Sequence, residues 1–325
     1  MKIAFTIATA NYLGYAHTLA DSLIRHNPDY TFVICLLDKN AAIDADAFAP
    51  HKVILIENIP TLALQSMAER YSVFELACAL KPFAADFLMS HFSPDIILYF
   101  DSDAFVLNGL QEAEKALAAH AVLITPHCIE SFPDDGCTLS DINLLQGGIY
   151  NGGFFALANS QPARAFINWW SKKLEKYCSN NVAKGMFVDQ LWLNFATLFF
   201  PQAHAFKNIG YNVSYWNMHE RMSVKADGKY WVNHSIPLVF YHFSGFSFDS
   251  PKIISKYQNR YKMKDFPTLQ LLFREYREEL KRHGHEKYVR LICPYEKPKP
   301  LSRKKKFLKK IGKSLSFFNC IISKP

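Results

Sequence analysis

Apolar runs and amphipathic segments alternate along the first hundred residues of the chain. Four short apolar runs have the length and composition of buried strands, at residues 3–8, 31–37, 53–56 and 95–100. Two segments carry apolar side chains at helical spacing, at residues 15–26 and 73–90. Strands that alternate with helices predict an α/β fold with a mostly parallel sheet flanked by helices. Ligands of such sheets bind beyond the carboxyl ends of the strands, so the residues after Ala8 and Phe100 are expected to line a cleft.

The pattern becomes mixed from about residue 125 onward. Helices are expected at residues 162–177 and 186–199, and Asp227-Gly228 predicts a β-hairpin turn. We expect this half to build onto the same sheet, which gives one large domain over residues 1–293. The remaining residues, 294–325, begin with a proline-containing linker and are expected to form a separate tail.

The composition is that of an ordinary folded protein. Half of the 325 residues are apolar and 20% are charged, which allows a sizeable core. The seven cysteines are scattered and form no Cys-x-x-Cys pair, which favours free thiols in a reducing, cytoplasmic compartment. The chain holds no run of the roughly 18 uncharged apolar residues that a membrane-spanning helix requires, so none is expected.

The positive charge is concentrated in the tail. The net charge is +8, but residues 297–325 hold ten Lys or Arg and no acid, which leaves 8 minus 10, or −2, for the rest. This distribution argues against nucleic acid as a partner. Within the tail, residues 303–323 place apolar side chains along one helical stripe with lysines elsewhere. The segment is expected either to lie on an anionic membrane surface or to act as a solubilising tail.

The most informative local pattern is the apolar run at 96–100 followed by Asp101-Ser102-Asp103. A strand that ends there releases both carboxylates into a loop, where they can turn toward one hard cation. A divalent ion held in this way can neutralise the diphosphate that leaves when a sugar is transferred from a nucleotide donor. A haloacid-dehalogenase-type phosphatase is the alternative, because its strand also ends in Asp-x-Asp. That pattern continues with Thr or Val where this chain has Phe105, which counts against it.

Further segments occur in an order and spacing that is fairly specific: Ala8-Thr9-Ala10-Asn11-Tyr12, Leu80-Lys81-Pro82, Asp101-Ser102-Asp103, Tyr150-Asn151-Gly152-Gly153-Phe154, Val188-Asp189-Gln190 and His242-Phe243-Ser244-Gly245. With these segments, the chain resembles the glycosyltransferases of the GT-A fold, in particular glycosyltransferase family 8 and its bacterial relatives. The resemblance covers about residues 1–260. It implies a GT-A-like single domain with a mostly parallel central sheet.

The resemblance also implies the roles of individual residues. Asp101, Asp103 and His242 would hold a divalent metal, Mn²⁺ or Mg²⁺, and an imidazole beside two carboxylates favours Mn²⁺. Asn151, Asp189 and Gln190 would be the catalytic residues that contact the donor sugar and its reacting carbon. The remaining donor-binding residues would be Ala8, Thr9, Asn11, Lys81, Ser102, Gly152, Gly153 and Gly245.

The activity that the resemblance implies is transfer of a hexose from a nucleotide-diphosphate sugar, with UDP as the expected nucleotide and with retention at the anomeric carbon. The expected acceptor is a glycan or a lipid-linked glycan, as in the synthesis of a bacterial surface polysaccharide. The chain departs from the family after Gly245, because the usual lysine three residues on is absent and the next lysine is Lys252. This departure leaves open an alternative function, in which the protein is a subunit that binds a nucleotide sugar but does not turn it over.

Overall fold

Fourteen strands and ten helices occur in the computed structural model, which describes residues 1–40, 43–60 and 63–297. The strands are β1 (Lys2–Ala8), β2 (Tyr30–Leu36), β3 (Lys52–Leu55), β4 (Ile96–Phe100), β5 (Ala104–Val106), β6 (Val122–Pro126), β7 (Tyr150–Ala158), β8 (Asn180–Asn181), β9 (Met186–Phe187), β10 (Ala203–Ala205), β11 (Ser223–Ala226), β12 (Lys229–Val232), β13 (Ile236–Pro237) and β14 (Phe240–His242). The helices are α1 (Leu13–His26), α2 (Leu64–Arg70), α3 (Val73–Phe92), α4 (Gln111–Leu117), α5 (Asp141–Gly147), α6 (Gln161–Lys176), α7 (Gln190–Leu193), α8 (Ala196–Phe199), α9 (Pro267–Arg282) and α10 (His285–Tyr288).

The central sheet has seven strands in the order β10-β6-β7-β4-β1-β2-β3. Strand β7 runs antiparallel to its two neighbours, while the other neighbouring pairs of this sheet are parallel. The sheet is therefore mixed but mostly parallel, and helices flank it, which confirms the predicted fold class. The order β3-β2-β1-β4 places the ends of β1, β2 and β4 side by side at one edge, where parallel sheets bind ligands.

Successive side chains of each strand pack into two different apolar clusters, because side chains alternate between the faces of a sheet. On β1, Ile3 and Phe5 belong to the cluster that also contains the apolar face of α3 and α6. Ala4 and Ala8 belong to the cluster that contains α1 and α4. Burial on both faces explains why β1 and β4 are nearly continuous apolar runs in the sequence.

The predicted helix at residues 186–199 is wrong. The structure has the short strand β9, a turn at Val188 and Asp189, and then two separate short helices, α7 and α8. The reason lies at Val188, whose φ of 40° is left-handed and cannot continue a right-handed helix. The apolar periodicity of this stretch results from packing of its turns against the core rather than from one helix.

The hairpin predicted at Asp227-Gly228 is confirmed. These two residues join β11 and β12, which pair in antiparallel register with Ala226 opposite Lys229. Both have positive φ, 50° for Asp227 and 76° for Gly228. A two-residue turn with two left-handed positions matches the twist of the flanking strands, which is why Asp-Gly is a strong hairpin signal.

Residues 1–295 form one compact unit. Residues 296–325 belong to a second unit, and the predicted amphipathic segment at 303–323 lies outside the residues that the structure describes. Among the described helices, none combines the length and the apolar character needed to cross a bilayer.

Candidate active site

The acidic triplet lies at the carboxyl end of β4, in a turn that leads directly into β5. The backbone amide of Asp101 donates to the carbonyl of Gly153 at 2.8 Å, and that of Ala104 donates back to Asp101 at 3.0 Å. Strand β5 pairs with β14 in antiparallel register, which sets His242 opposite Ala104. The pairing of β5 with β14 therefore places His242 beside the triplet, although about 140 residues separate them in sequence.

The side chains of Asp101, Asp103 and His242 converge, as the sequence predicts for a metal site. Nε2 of His242 lies 3.1 Å from Oδ1 of Asp103 and 3.9 Å from Oδ2 of Asp101. One ligand atom of each residue lies within 4.8 Å of the others. Two carboxylates and one imidazole at this spacing match the preferences of a divalent ion such as Mn²⁺.

The imidazole of His242 is oriented by Asn212, which the sequence did not single out. The Asn212 amide nitrogen lies 3.0 Å from both Thr125 Oγ1 and Asn151 Oδ1, and donates to them. Its amide oxygen therefore accepts from Nδ1 of His242 at 3.1 Å, which leaves the Nε2 lone pair facing the carboxylates. Metal-binding histidines are commonly fixed by such a hydrogen bond on the other ring nitrogen, so these residues fit a cation.

Electrostatics also favour a positive charge among these three side chains. Burial lowers the pKa of His242, but Asp103 and Asp101 outweigh burial and leave this pKa above its ordinary value. Burial likewise disfavours the charged form of Asp101, yet Lys81 and His242 outweigh it and hold the pKa of Asp101 below its ordinary range. The carboxylate of Asp101 is therefore ionised and available to a cation.

Lys81 lies on the buried face of α3 and pairs with two carboxylates. Its Nζ is 3.1 Å from Oδ1 of Asp101 and 2.9 Å from Oδ2 of Asp189, and it donates to the carbonyl of Gly152 at 2.9 Å. Burial opposes the charge, but Asp101 and Asp189 outweigh it and place the pKa of Lys81 well above its ordinary value. Tyr99 adds a 2.6 Å hydrogen bond from its hydroxyl to the same oxygen of Asp101.

Gly152 and Gly153 allow these side chains to come together on β7. A Cβ at Gly152 would lie 2.4 Å from Oδ2 of Asp189, and one at Gly153 would lie 2.4 Å from Cε1 of His242. Real Cβ atoms do not approach this closely, so any larger residue displaces the site. The absence of a Cβ at both positions thus leaves room for the side chains of Asp189 and His242. It would also allow a ligand to approach the backbone closely.

Gly153→Ala is expected to weaken Mn²⁺ binding by at least about tenfold, because the new methyl group displaces the imidazole of His242 from its ligating position. The affinity can be measured from the electron paramagnetic resonance signal of free Mn²⁺. Gly147→Ala is the matched control, since a Cβ there would meet its nearest neighbour, the ring of Phe187, at an ordinary 3.7 Å. Unchanged affinity in Gly153→Ala would contradict the assignment of His242 as a ligand.

Asn151 is buried and fully engaged. Its Oδ1 accepts from the amide of Gly153 at 2.9 Å and from Asn212, and its Nδ2 lies 3.2 Å from Nε2 of His127. Burial lowers the pKa of His127 to about 4, so the neutral ring can accept this hydrogen bond. Asn151 therefore belongs to a buried polar network that reaches His242 through Asn212, and His127 is a member that the sequence did not reveal.

Asp189 and Gln190 follow the left-handed residue Val188 directly. A β-branched residue at positive φ is strained, and such strain concentrates at functional sites. Asp189 is only 2% exposed, and its backbone carbonyl accepts from Nε1 of Trp170 at 3.2 Å. Gln190 donates to the carbonyl of Gly147 at 2.7 Å. The strained turn thus directs Asp189 into the cleft toward Lys81 and Gly152.

The predicted nucleotide-binding end lies at the carboxyl end of β1. The hydroxyl of Thr9 donates to Oδ1 of Asn11 at 2.6 Å, and Ala8 and Thr9 are buried. The backbone amide of Ala10 donates to Oδ1 of Asp38 at 2.7 Å, while Oδ2 of Asp38 has no hydrogen-bond partner among the described residues. Burial raises the pKa of Asp38 above its ordinary value. Asp38 was not predicted from the sequence, although its position two residues after β2 parallels that of the triplet after β4.

The remaining predicted donor-binding residues are Ser102, which lies between Asp101 and Asp103, and Gly245, which follows His242 by three positions. Ser102 is 8% exposed between the two aspartates. Gly245 has a φ of 74°, and a Cβ there would lie 2.4 Å from Oγ of Ser255. Its carbonyl accepts from the amide of Lys256 at 3.1 Å, so the loop folds back and brings a lysine next to the glycine.

Comparison with known proteins supports the fold. No protein-family model matches the chain. Two uncharacterized proteins of Bacillus subtilis (strain 168) are similar to the chain. YfnF is 24% identical over 280 residues, which cover 83% of this chain and 89% of YfnF. YfnD is 27% identical over 137 residues, which cover 42% of this chain and 43% of YfnD. The crystal structure of a galactosyltransferase, LgtC, in complex with donor and acceptor sugar analogs superposes with a TM-score of 0.54 at 15% identity, and the match covers 87% of this chain and 96% of that one. The GT-A-like fold is thereby confirmed, while membership of family 8 stays a prediction.

Proposed function

We propose that this protein is a metal-dependent glycosyltransferase that moves a hexose from a nucleotide-diphosphate sugar, with UDP as the nucleotide, to a glycan or lipid-linked acceptor. The observation that carries the proposal is the convergence of Asp101, Asp103 and His242 at the carboxyl end of β4, with the imidazole oriented by Asn212. This arrangement supports a divalent-metal site at the edge of the sheet where the fold binds ligands. The haloacid-dehalogenase alternative is not favoured by the structural comparison.

The bound cation would neutralise the negative charge that develops on the diphosphate as it leaves. The protein would hold this cation with Asp101, Asp103 and His242, and Mn²⁺ suits the mixed donor set. Asn212 fixes the ligating tautomer of His242, and Tyr99 and Lys81 fix the carboxylate of Asp101. The cleft is thus organised before the donor arrives, which lowers the reorganisation needed during the reaction.

Lys81 acts in this proposal by positioning the carboxylates. Three acceptors already surround its Nζ, namely Asp101, Asp189 and the carbonyl of Gly152. The donor-binding role that the resemblance implies for Lys81 is therefore better assigned to the loop after Gly245, where Lys252 and Lys256 are the nearest lysines in sequence and could contact the diphosphate. This assignment agrees with the departure from the family pattern at that loop.

Asp38 supports a nucleotide donor. In nucleotide-binding sheets a carboxylate at the end of the second strand accepts hydrogen bonds from the ribose hydroxyls. Asp38 occupies this position, and its Oδ2 is a buried oxygen without a protein partner. A ribose hydroxyl would satisfy that oxygen, whereas a buried acceptor left unpaired costs free energy.

Retention at the anomeric carbon is the outcome that the site favours. An inverting enzyme requires a carboxylate that is free to take the proton of the acceptor hydroxyl. Oδ2 of Asp189 is instead ion-paired with Lys81 at 2.9 Å in a buried position. Asp189 and Gln190 are therefore assigned to contacts with the donor sugar.

A surface depression lined in part by Tyr150, the residue before Asn151, supports an acceptor that carries an apolar group. Its lining includes Ile129, Leu145 and Ile149, which are 45%, 73% and 41% exposed. Ile149 lies only two residues before Asn151. Exposed apolar side chains that gather at a depression are typical of a binding surface. The same depression is also lined by Glu130, Asp141 and Lys207, so a lipid-linked glycan, which has an apolar and a polar part, matches the lining.

The test is a thermal-shift screen of nucleotide sugars with and without Mn²⁺, followed by a transfer assay with the best ligand. A donor at about 100 times its Kd is expected to raise Tm by roughly 5 °C in the presence of Mn²⁺ and much less with EDTA. The proposal also requires slow release of the nucleotide diphosphate from the same donor. Binding without any hydrolysis or transfer would instead identify a binding subunit, and hydrolysis of simple phosphomonoesters a phosphatase.

A further inference from the structure

We propose that His17, Asp21, His51 and His283 form a second divalent-metal site, of the Zn²⁺ type, apart from the cation site of Asp101, Asp103 and His242. The inference does not depend on the proposed glycosyl transfer. It rests on the convergence of three imidazoles on one carboxylate.

Three separate parts of the chain meet at this cluster. His17 and Asp21 lie four residues apart on α1, which places them on the same face of the helix. His51 directly precedes β3, and His283 directly follows α9. Asp21 and His283 are 262 residues apart in sequence, so the cluster connects the beginning of the domain with its end.

The distances place three imidazole nitrogens around the carboxylate of Asp21. Oδ1 of Asp21 is 2.6 Å from Nε2 of His51 and 3.7 Å from Nε2 of His17, and Oδ2 is 2.8 Å from Nε2 of His283. One ligand atom each of His17, Asp21 and His51 lies within 4.8 Å of the other two. In a tetrahedral zinc site with bonds of ~2.0–2.1 Å, neighbouring ligand atoms are about 3.3 Å apart. His17, Asp21 and His51 already lie at distances suited to one ion, and His283 would join them after a rotation of its side chain.

The hydrogen bonds of His283 call for a cation at its Nε2. Its Nδ1 lies 2.9 Å from the carbonyl of Glu279 and donates to it. The neighbouring hydroxyl of Thr18 cannot donate to that nitrogen, because it donates to the carbonyl of Gly14 at 2.8 Å. In the neutral ring, Nε2 then carries a lone pair that faces a carboxylate oxygen of Asp21 at 2.8 Å. Two acceptors at this distance are compatible only when a proton or a metal ion lies between them.

Aromatic rings hold two of the imidazoles in place. The rings of His17 and His51 pack against Phe48 and Phe32 at 5.2 and 5.9 Å. No arginine or lysine among the described residues forms an ion pair with Asp21. The nearby Arg25 instead pairs with Glu279 at 3.7 Å.

The ligand types point to zinc. Three imidazoles and one carboxylate are typical of Zn²⁺, whereas the set of Asp101, Asp103 and His242 has only one nitrogen ligand and suits Mn²⁺. With four protein ligands the site would be closed and structural. Metal bound there would hold α1 against the end of α9, and the free energy of binding would add to the free energy of unfolding.

The test uses the full-length Asp103→Asn protein, in which the first metal site is disabled. We expect it to bind one equivalent of Co²⁺ with the intense visible absorption of four-coordinate cobalt, and to gain thermal stability with Zn²⁺. Adding His17→Gln should weaken Zn²⁺ binding by at least about tenfold. His17 is suitable because its ion contact with Asp21 is long, at 3.7 Å, so the metal-free fold should tolerate the change.

The matched control is His91→Gln in the same Asp103→Asn protein, since His91 is an exposed histidine and its loss should leave Zn²⁺ binding unchanged. Equal loss of binding in both histidine variants, or no four-coordinate cobalt in Asp103→Asn, would overturn the proposal. Anomalous diffraction at the zinc edge, from crystals of Asp103→Asn soaked in Zn²⁺, provides a readout that does not depend on the folding of any histidine variant. The ion must then lie among His17, Asp21, His51 and His283, and an ion elsewhere refutes the site.

Discussion

Asp103→Asn is expected to lower the rate of sugar transfer by about 10³-fold at saturating Mn²⁺, which corresponds to about 4 kcal/mol of transition-state stabilisation. The amide keeps the shape of the side chain but removes the charge that holds the cation beside Nε2 of His242. The backbone role of Asp103 is preserved, because its carbonyl still accepts from the amide of Phe243 at 2.8 Å. The loss should therefore appear in catalysis and metal affinity, while the protein stays folded.

The measurement is kcat with the donor identified by the thermal-shift screen, over a series of Mn²⁺ concentrations. Asp134→Asn is the matched control, because Asp134 is an exposed acid in a loop and its loss should change kcat little. Circular dichroism of both variants establishes that they are folded. If Asp103→Asn turns over the donor at a near-normal rate, the metal site and the proposed mechanism are both wrong.

Lys81→Met is expected to reduce the free energy of unfolding by about 3–5 kcal/mol, because it leaves the buried carboxylate of Asp189 and the partly exposed carboxylate of Asp101 without their cation. Methionine replaces most of the aliphatic volume of the lysine, so the effect of a cavity stays small. The side chain of Lys81 is 4% exposed and that of Asp189 is 2% exposed, so water cannot compensate for the lost charge. Urea denaturation followed by tryptophan fluorescence measures the change.

The double variant Lys81→Met/Asp189→Asn should recover part of this loss, since it removes one of the two unpaired charges. Lys115→Met is the control for removal of a lysine that pairs at the surface. Its partner Glu112 and Lys115 itself are 56% and 72% exposed, and such pairs contribute less than about 1 kcal/mol. If Lys81→Met costs as little as Lys115→Met, or if the double variant shows no recovery, then charge does not hold Lys81, Asp101 and Asp189 together.

The residues proposed as metal ligands were predictable because two of them, Asp101 and His242, stand at the end of an apolar strand. The run before Asp101 and the run before His242 mark β4 and β14, and the resemblance to a known family indicated that these two strand ends meet. Asn212 and His127, which orient the ligands, gave no such signal. Asn212 adopts a positive φ of 54° and is fully buried, and neither property can be recognised from neighbouring residues.

The error at residues 186–199 has a related cause. Apolar periodicity records which side chains face the core, and two short helices after a turn can satisfy the same pattern as one helix. The turn depends on the left-handed backbone of Val188, a residue that ordinarily avoids this conformation. The strained backbone is held by long-range contacts, among them the 3.2 Å hydrogen bond from Trp170 to the carbonyl of Asp189.

The amino-acid sequence by itself determined the α/β pattern, the hairpin at Asp227-Gly228 and the position of two acids at the end of a buried strand, because each depends on neighbouring residues within one element. The tertiary structure alone decided the partners of Lys81, the orientation of His242 and the gathering of His17, Asp21, His51 and His283. These arrangements join residues that lie tens to hundreds of positions apart, and only the packing of helices against the sheet fixes which of them meet. Local patterns specify the elements, whereas the charges and lone pairs that give the sites their chemistry depend on distances between elements.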